Sequence, residues 1–274
     1  MKTLATARES FGASFRSGRL WLIQSLANPV LFLLFVLWLL LPVEHGWQIV
    51  LNGLLILLVA AGTLVLHGGT LNYFHDRSRT SGAALRPAFL RAARHAVATL
   101  ILVAILYGLW ALLQQAGSYS DTLPAYVRST LPAWVRRHVS FGQAQDSFAA
   151  LMFVVCWIVI PGLLLPFALS TSDEGFRGFG RSGIGAWKKT VSKSSYWLVL
   201  AVAALLGVFA TTRLMAWTPN FTTSTLHSES ISLTWRLLLS YVLGLGAWMV
   251  TCSLVARCGA VSARVGDVSG HAGS

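Results

Sequence analysis

The sequence predicts an all-α integral membrane protein with six transmembrane helices. Mean hydropathy is +0.65 and only 11% of the residues are charged. Six uninterrupted apolar stretches cover residues 20–43, 48–66, 96–115, 148–170, 196–216 and 234–256. A helix rises about 1.5 Å per residue, so about 20 such residues cross a hydrocarbon layer of about 30 Å. Barrel strands would alternate over shorter segments, and these stretches do not.

The positive charges predict how the chain is oriented. With the N-terminus in the cytosol, 16 of the 21 Lys and Arg residues fall on the inner side. Positive charge resists translocation, so both termini are expected to be cytosolic. Topology then explains the net charge of +12, and no nucleic-acid partner is expected. The first span reads as an uncleaved anchor, and the predicted location is the bacterial inner (cytoplasmic) membrane.

Similar short basic segments precede the first, third and fifth spans. They read GASFRSGRLW from Gly12, PAFLRAARH from Pro87 and GAWKKTVSK from Gly185. Each is followed by an outward span and a return span, which predicts three tandem helical-hairpin units over 4–76, 80–173 and 180–257. Together they form one membrane domain over 1–257. The small, polar residues of 258–274 predict a disordered cytosolic tail.

The second and third basic segments predict amphipathic helices in the plane of the cytosolic headgroups. At 100° per residue, Leu85, Phe89 and Ala92 fall on one face, and the third segment repeats this pattern. Membrane lipid with anionic headgroups is the expected partner. The alternative is that these cations only set the topology. The predicted lipid-interface residues are Phe89, Arg86, Arg91, Arg94, Trp187, Lys188, Lys189 and Lys193.

The long outer loop contains a near-repeat of eight residues, TLPAYVRS followed by TLPAWVRR. Thr before a first-turn Pro is a helix-start signal, so short helices are predicted to begin at Thr122 and Thr130. Trp134 and Arg136 suit the outer lipid interface, where aromatic rings lie at headgroup depth. The alternative is a docking surface for a protein partner in the membrane.

Few polar residues lie inside the predicted spans. Gln24, Asn28 and Asn52 belong to the first hairpin, where amides would bond across helices; the alternative is that they line a substrate path. All nine carboxylates lie in loops or at span edges, which counts against an ion-coupled carrier. Pro161 and Pro166 predict a kink in the fourth span.

No catalytic residue, cofactor or metal site is predicted. His67, His75 and His95 could converge at the cytosolic face, but no Cys, Asp or Glu spacing completes a metal or haem ligand set. GxSxG and HExxH motifs and paired acids are absent from the sequence. The stretch GFRGFGRSGIG from Gly175 follows a span rather than a strand, and it predicts a flexible loop at the membrane surface.

One stretch resembles a known group of membrane families. It comprises IPGLLLPFAL after Trp157, Asp173-Glu174-Gly175, and then AWKK and SSYW up to Trp197. This pattern is similar to multi-pass families related to the membrane domain of some glycerophosphodiester phosphodiesterases. The resemblance covers about 40 residues, and it implies a six-span architecture and no activity.

The leading functional hypothesis is a non-enzymatic membrane protein, acting as an accessory or lipid-interacting component through its basic segments. A small permease or transport subunit is the alternative. A third hypothesis is an intramembrane enzyme or a metal- or haem-binding protein, for which the sequence offers no nucleophile with a base in reach.

Overall fold

The structure, a computed structural model, describes the backbone of residues 2–80, 82–117, 119, 121–218 and 226–270. Within these ranges it describes all side chains except those of 2–7, 116, 226–227 and 260–270. No strand occurs in the described ranges. The helices are α1 (Lys2–Phe15), α2 (Gly18–Leu40), α3 (Gly46–Arg79), α4 (Leu85–Arg94), α5 (Ala96–Gly117), α6 (Thr122–Thr130), α7 (Ala133–Arg136), α8 (Phe141–Val154), α9 (Ile160–Glu174), α10 (Arg181–Val191), α11 (Ser194–Ala204), α12 (Thr211–Ala216) and α13 (Leu226–Gly270).

Six helical segments of the described chain are long and apolar enough to cross a bilayer, which confirms the predicted fold class. They are Gly18–Leu40, Gly46–Arg79, Ala96–Gln115, Phe141–Phe179, Ser194–Ala216 and Ser228–Gly259. The protein is therefore an all-α, multi-pass integral membrane protein. Several segments run past the predicted limits, because hydropathy detects only the apolar part while the helical hydrogen bonds continue into polar sequence.

Local sequence accounts for the ends of several helices. Leu41, just after α2, is extended because the following Pro42 disfavours a helical conformation at that position. At the start of α3, the Gln48 side-chain oxygen accepts hydrogen bonds from the backbone N–H groups of Glu44 and His45, at 2.9 and 2.8 Å. These bonds satisfy donors that a helix start leaves unpaired.

The repeated octet forms two helices, but only one begins where predicted. Helix α6 begins at Thr122, whereas α7 begins at Ala133, three residues after Thr130. The intervening Leu131 is extended, with ψ of 146°. It precedes Pro132, whose ring disfavours helix at the residue before it.

The fourth span is interrupted at its prolines. A π-helical turn, Val155–Val159, joins α8 to α9 immediately before Pro161. Pro166 has no N–H with which to bond the carbonyl oxygen of Gly162 four residues earlier. The hydroxyl of the fully buried Tyr196 donates to that oxygen instead, at 2.8 Å. A second π-helical turn, Leu205–Ala210, joins α11 to α12 in the fifth span.

The three return helices α3, α9 and α13 contact one another and form the centre of the protein. Helices α1, α4 and α10 lie at one end of this bundle, which we call the basic face. Each packs on the return helix of another predicted unit: α4 on α3, α10 on α9, and α1 on α13. The second and third basic helices thus pack on the return helix of the preceding unit, and the first packs on that of the last unit. The origin of the three units as a repeat stays a prediction.

Burial is concentrated near the basic face. The most buried side chains lie on α3 around Phe74, on α9 around Leu169 and on α13 from Met249 to Cys258. The remaining lengths of the spans expose many Leu, Val, Phe and Trp side chains, as expected for surfaces that face lipid. Helix α13 continues to Gly270, and the predicted disorder of 258–274 stays a prediction.

The Gly-rich stretch after α9 is not the flexible loop that the sequence predicted. Gly175 has φ of +66°, which turns the chain into a 3₁₀ segment, Gly175–Phe179, that folds back over the last turns of α9. A Cβ on Gly178 would lie 2.5 Å from the backbone of Ser170, and one on Gly183 would overlap the carbonyl oxygen of Gly178. Because these glycines have no Cβ, the backbones of α9, of the 3₁₀ segment and of α10 pack directly on one another.

Candidate functional site

The basic face carries two groups of exposed cations. Arg86 and Arg94 of α4 and Lys188 and Lys189 of α10 have exposed side chains. None of these four forms an ion pair or a side-chain hydrogen bond within the described residues. These four predicted lipid-interface residues therefore keep their charges available.

Arg91 lies on α4, between Arg86 and Arg94, but its side chain is half-buried and paired with carboxylates. Its guanidinium pairs with Asp76 of α3 and, at 2.9 Å, with Asp173 of α9. The hydrogen bond to Asp76 raises the pKa of Arg91, so the guanidinium stays charged. His75 Nε2 lies 3.9 Å from the Asp173 carboxylate. Arg91 thus joins α3, α4 and α9. Its contact with lipid headgroups stays a prediction, because Asp76 and Asp173 already bind the guanidinium that the headgroups would contact.

Lys193 is likewise used internally. Its ammonium donates a hydrogen bond of 2.8 Å to the backbone oxygen of Cys258 on α13. On the first basic helix, Glu9 pairs with Arg257 of α13 at 2.8 Å, which ties α1 to α13. Polar contacts thus attach α1, α4 and Lys193, just after α10, to return helices.

The predicted apolar anchors Phe89 and Trp187 contact protein. A Cβ on Gly69 of α3 would lie 2.7 Å from the Phe89 ring, so Phe89 rests on bare backbone. Trp187 donates its indole N–H to the backbone oxygen of Leu163 at 3.0 Å, beside Phe167. Both side chains are half-buried, and their insertion into lipid stays a prediction.

A fully buried amide that the sequence analysis missed joins the same three helices. Asn72 donates to the backbone oxygen of Ser172 at 2.9 Å and accepts from the Ser172 hydroxyl at 2.8 Å. Its amide also lies 3.3 Å from the Ala88 oxygen of α4. The sequence analysis missed Asn72 because it ended the second span at residue 66 and so placed this residue in a loop, whereas α3 continues to Arg79.

Two of the three predicted intramembrane amides lie together. The fully buried Gln24 donates to the Thr70 hydroxyl at 2.5 Å, and Asn28 donates to the Gln24 side-chain oxygen at 2.7 Å. The Tyr241 hydroxyl of α13 donates to the Gln24 backbone oxygen at 3.2 Å. This chain of hydrogen bonds joins α2, α3 and α13. Asn52 lies about 27 Å from Thr70 along α3, so it is not part of the group.

The three histidines do not converge. His75 faces Asp173, and the His95 ring lies against Gly175. His67 contacts Trp248 of α13, edge to face, with ring centroids 5.1 Å apart. It lies ten residues, or about 15 Å, from Arg77 along α3. Among the described residues, no group of three His, Cys, Asp or Glu could hold a metal ion.

His67 and Trp248 also border a large cavity between the spans, which is partly open at the surface of the bundle. Its volume is about 590 Å³, and side chains of α3, α5, α9, α11 and α13 surround it. Almost all of the lining is apolar, and the exceptions are His67, the Trp248 indole and threonines such as Thr63 and Thr99. The sequence analysis did not foresee this cavity, because it needs five helices from all three units.

Trp134 and Arg136, which the sequence predicts at the outer interface, lie at the opposite end of the protein from the basic face. Trp134 on α7 is 72% exposed. Within the described residues, the Arg136 side chain makes one long hydrogen bond, 3.4 Å, to the Ser129 oxygen.

The fold and these sites define the class of the protein: a six-span, multi-pass membrane protein with a basic face and a partly open apolar cavity. Comparisons with known protein families, with curated proteins and with solved structures give no match. The resemblance to membrane domains of glycerophosphodiester phosphodiesterases stays a hypothesis.

Proposed function

We propose that this protein is a non-enzymatic component of the bacterial inner membrane that binds anionic lipid headgroups at its basic face. Both termini and the basic face lie in the cytosol. In this role it acts as an accessory protein, with lipid as its main partner and a membrane protein as a further one.

The observation that carries this proposal is the set of four exposed cations on α4 and α10. Arg86, Arg94, Lys188 and Lys189 have no internal partner, whereas their neighbours Arg91 and Lys193 do. A cation that only stabilised the fold would be expected to pair as those two do. Each cation at a membrane surface gains up to about 1 kcal/mol from anionic lipid.

The permease alternative has less support. A path for a polar solute or an ion needs polar or charged groups near the midplane. The large cavity between the spans has an almost wholly apolar lining. Gln24 bonds across helices to Thr70, and Asn28 bonds to the Gln24 side chain on the same helix, which favours a structural role for both.

We expect the charge asymmetry to place α10 inside the cell and α7 outside. Single cysteines at the exposed positions Ser192 and Ala133 report this, because Cys252 and Cys258 are buried and the half-buried Cys156 gives a constant background. An impermeant maleimide should label Ala133→Cys in intact cells and Ser192→Cys only after lysis. Labelling of Ser192→Cys in intact cells would reverse the proposed orientation.

The lipid preference is tested by electron paramagnetic resonance of spin-labelled lipids around the reconstituted protein. At low salt we expect the protein to retain phosphatidylglycerol in preference to phosphatidylcholine. Replacing Lys188 and Lys189 together by Gln should lower that preference by at least about threefold, which corresponds to about 0.3 kcal/mol per cation and lies below the upper limit of about 1 kcal/mol for each. Salt should reduce the wild-type preference in the same direction because it screens exposed charges.

The matched control replaces Arg136 and Arg137, an exposed pair on the opposite side, by Gln. We expect a much smaller change, because few protein cations lie at that face. A preference that is unchanged by Lys188→Gln with Lys189→Gln, or that falls equally in the control, would remove the support for headgroup binding at the basic face.

A further inference from the structure

The large cavity has the height of one leaflet. On α3 its lining runs from Ala60 to Leu71, which corresponds to about 16 Å along the helix, or about half of the hydrocarbon layer. Towards the basic face it narrows at Gly68, where a Cβ would lie 3.2 Å from Ala92 and 3.4 Å from Ser172, and Leu71 is its last lining residue on α3. The Asn72–Ser172 hydrogen bonds lie beyond that contact. The cavity is therefore separated from the cytosolic headgroups and belongs to the membrane interior.

Irregular helix surrounds this cavity on two sides. Trp157 belongs to the π-helical turn of the fourth span, and Gly207 and Val208 belong to that of the fifth; all three line the cavity. π-helical turns leave backbone groups without regular partners, and they are frequent at functional sites. Their position at the wall of a single cavity points to a binding site.

His67 supplies an unpaired polar group at the cavity wall. Its Nδ1 atom is buried without a hydrogen-bond partner, and its Nε2 atom makes no hydrogen bond within the described residues. The buried indole N–H of the neighbouring Trp248 is also unpartnered. An unpaired buried polar group costs about 1–3 kcal/mol, and bilayer interiors offer no water to offset it.

The same two rings border a second cavity. It measures about 450 Å³, and it lies between α2, α3 and α13 beside Asn28, Ser240 and Tyr241. The Ser240 hydroxyl is a third buried polar group with no partner in the described chain. Three of the buried polar atoms that lack a partner in the described residues therefore lie around His67, and the others belong to Ser10, Trp38, His75, Arg91 and Ser253.

We propose that the large cavity binds an uncharged amphiphile from the bilayer, with a single apolar tail and one carbonyl or hydroxyl oxygen that bonds to His67. The apolar lining and one-leaflet height suit the tail. The oxygen provides what the imidazole lacks, because a neutral imidazole has one N–H donor and one acceptor nitrogen. A charged head is disfavoured at about 15 Å from the cation layer at Arg77. This site is independent of headgroup binding at the basic face.

The test uses three photoreactive probes of equal chain length in bilayer nanodiscs: a long-chain methyl ketone, the matching hydrocarbon and the matching alkyl phosphate. Each carries a diazirine, and mass spectrometry locates the cross-links. We expect the ketone to label the cavity stretches of α3 and α13 about fivefold more than the hydrocarbon, which corresponds to about 1 kcal/mol for one hydrogen bond. The phosphate should label least.

Three variants distinguish the cavity from the outer surface. Ala60→Phe fills the cavity and should abolish the ketone labelling, whereas Ala61→Phe, on the adjacent exposed position, should leave it unchanged. His67→Leu should reduce ketone labelling to the level of the hydrocarbon. It should not lower the resistance to unfolding of the probe-free protein, because it removes an unpaired polar group.

Three results would overturn the proposal. The first is equal labelling of the wild-type cavity by ketone and hydrocarbon, which would leave only non-selective filling by lipid. The second is equal loss of labelling in Ala60→Phe and Ala61→Phe, which would place the probe on the outer surface. The third is a destabilised His67→Leu, which would assign His67 a structural role and remove its role in binding.

Discussion

Gly183→Ala is expected to destabilise the protein by about 3 kcal/mol, the upper part of the range for overpacked sites. A Cβ at this position would overlap the backbone oxygen of Gly178, and neither atom belongs to a flexible side chain. Gly178 has no room to retreat on its Cβ side, since a Cβ built there would lie 2.5 Å from the backbone of Ser170 and 2.7 Å from that of Thr171. Helix α10 must therefore move away from α9, which breaks the contacts of Trp187 with Leu163 and Phe167.

Gly185→Ala provides the matched control two residues further along the same helix. Nothing lies within 4 Å of a Cβ at Gly185, so the substitution should be neutral or should stabilise the protein by up to about 1 kcal/mol through helix propensity. Unfolding in detergent is followed by reaction of the buried Cys252 and Cys258 with a thiol-reactive dye. Equal stability of the two variants would contradict the stacked-backbone structure and support the loop that the sequence predicted.

Asn72→Leu is expected to cost about 2–3 kcal/mol, because it removes the amide that bonds to the backbone oxygens of Ser172 and Ala88, although the Ser172 hydroxyl keeps its bond to the Leu169 oxygen. The side chain is fully buried, donates to the Ser172 backbone oxygen and accepts from the Ser172 hydroxyl. Leucine has a similar volume, so the loss reflects hydrogen bonding more than packing. The predicted effect is larger than the roughly 0.6 kcal/mol average of polar contacts between membrane helices, since one side chain satisfies several groups.

Asn52→Leu is the control on the same helix. Asn52 is half-buried and makes no side-chain hydrogen bond within the described residues, so its replacement should change the free energy of unfolding by less than about 0.5 kcal/mol. The same dye-labelling assay measures both variants. A loss at Asn52 as large as that at Asn72 would show that the hydrogen bonds around Ser172 are not the source of the stability.

The sequence alone determined the six spans and the positions of the basic segments. Both follow from local properties: the length of an apolar run decides whether it can cross the hydrocarbon, and Lys and Arg stay outside it. The prolines of the fourth span were also readable, because a missing N–H is a property of the residue itself. Helix ends in polar sequence were less readable, as α3 shows by continuing from residue 66 to Arg79.

Only the tertiary structure decided which polar residues work together. Gln24 bonds across helices and carries Asn28 with it on the same helix, while Asn52 makes no side-chain hydrogen bond within the described residues. Arg91 is paired while Arg86 and Arg94 are exposed, although the sequence grouped these three residues. The same holds for His67, which was grouped with two other histidines and faces Trp248 and a cavity instead. The physical reason is that hydropathy and charge act on each residue separately. Hydrogen bonds, ion pairs and cavities depend on which helices become neighbours, and close backbone contacts such as Gly178 with Gly183 decide that.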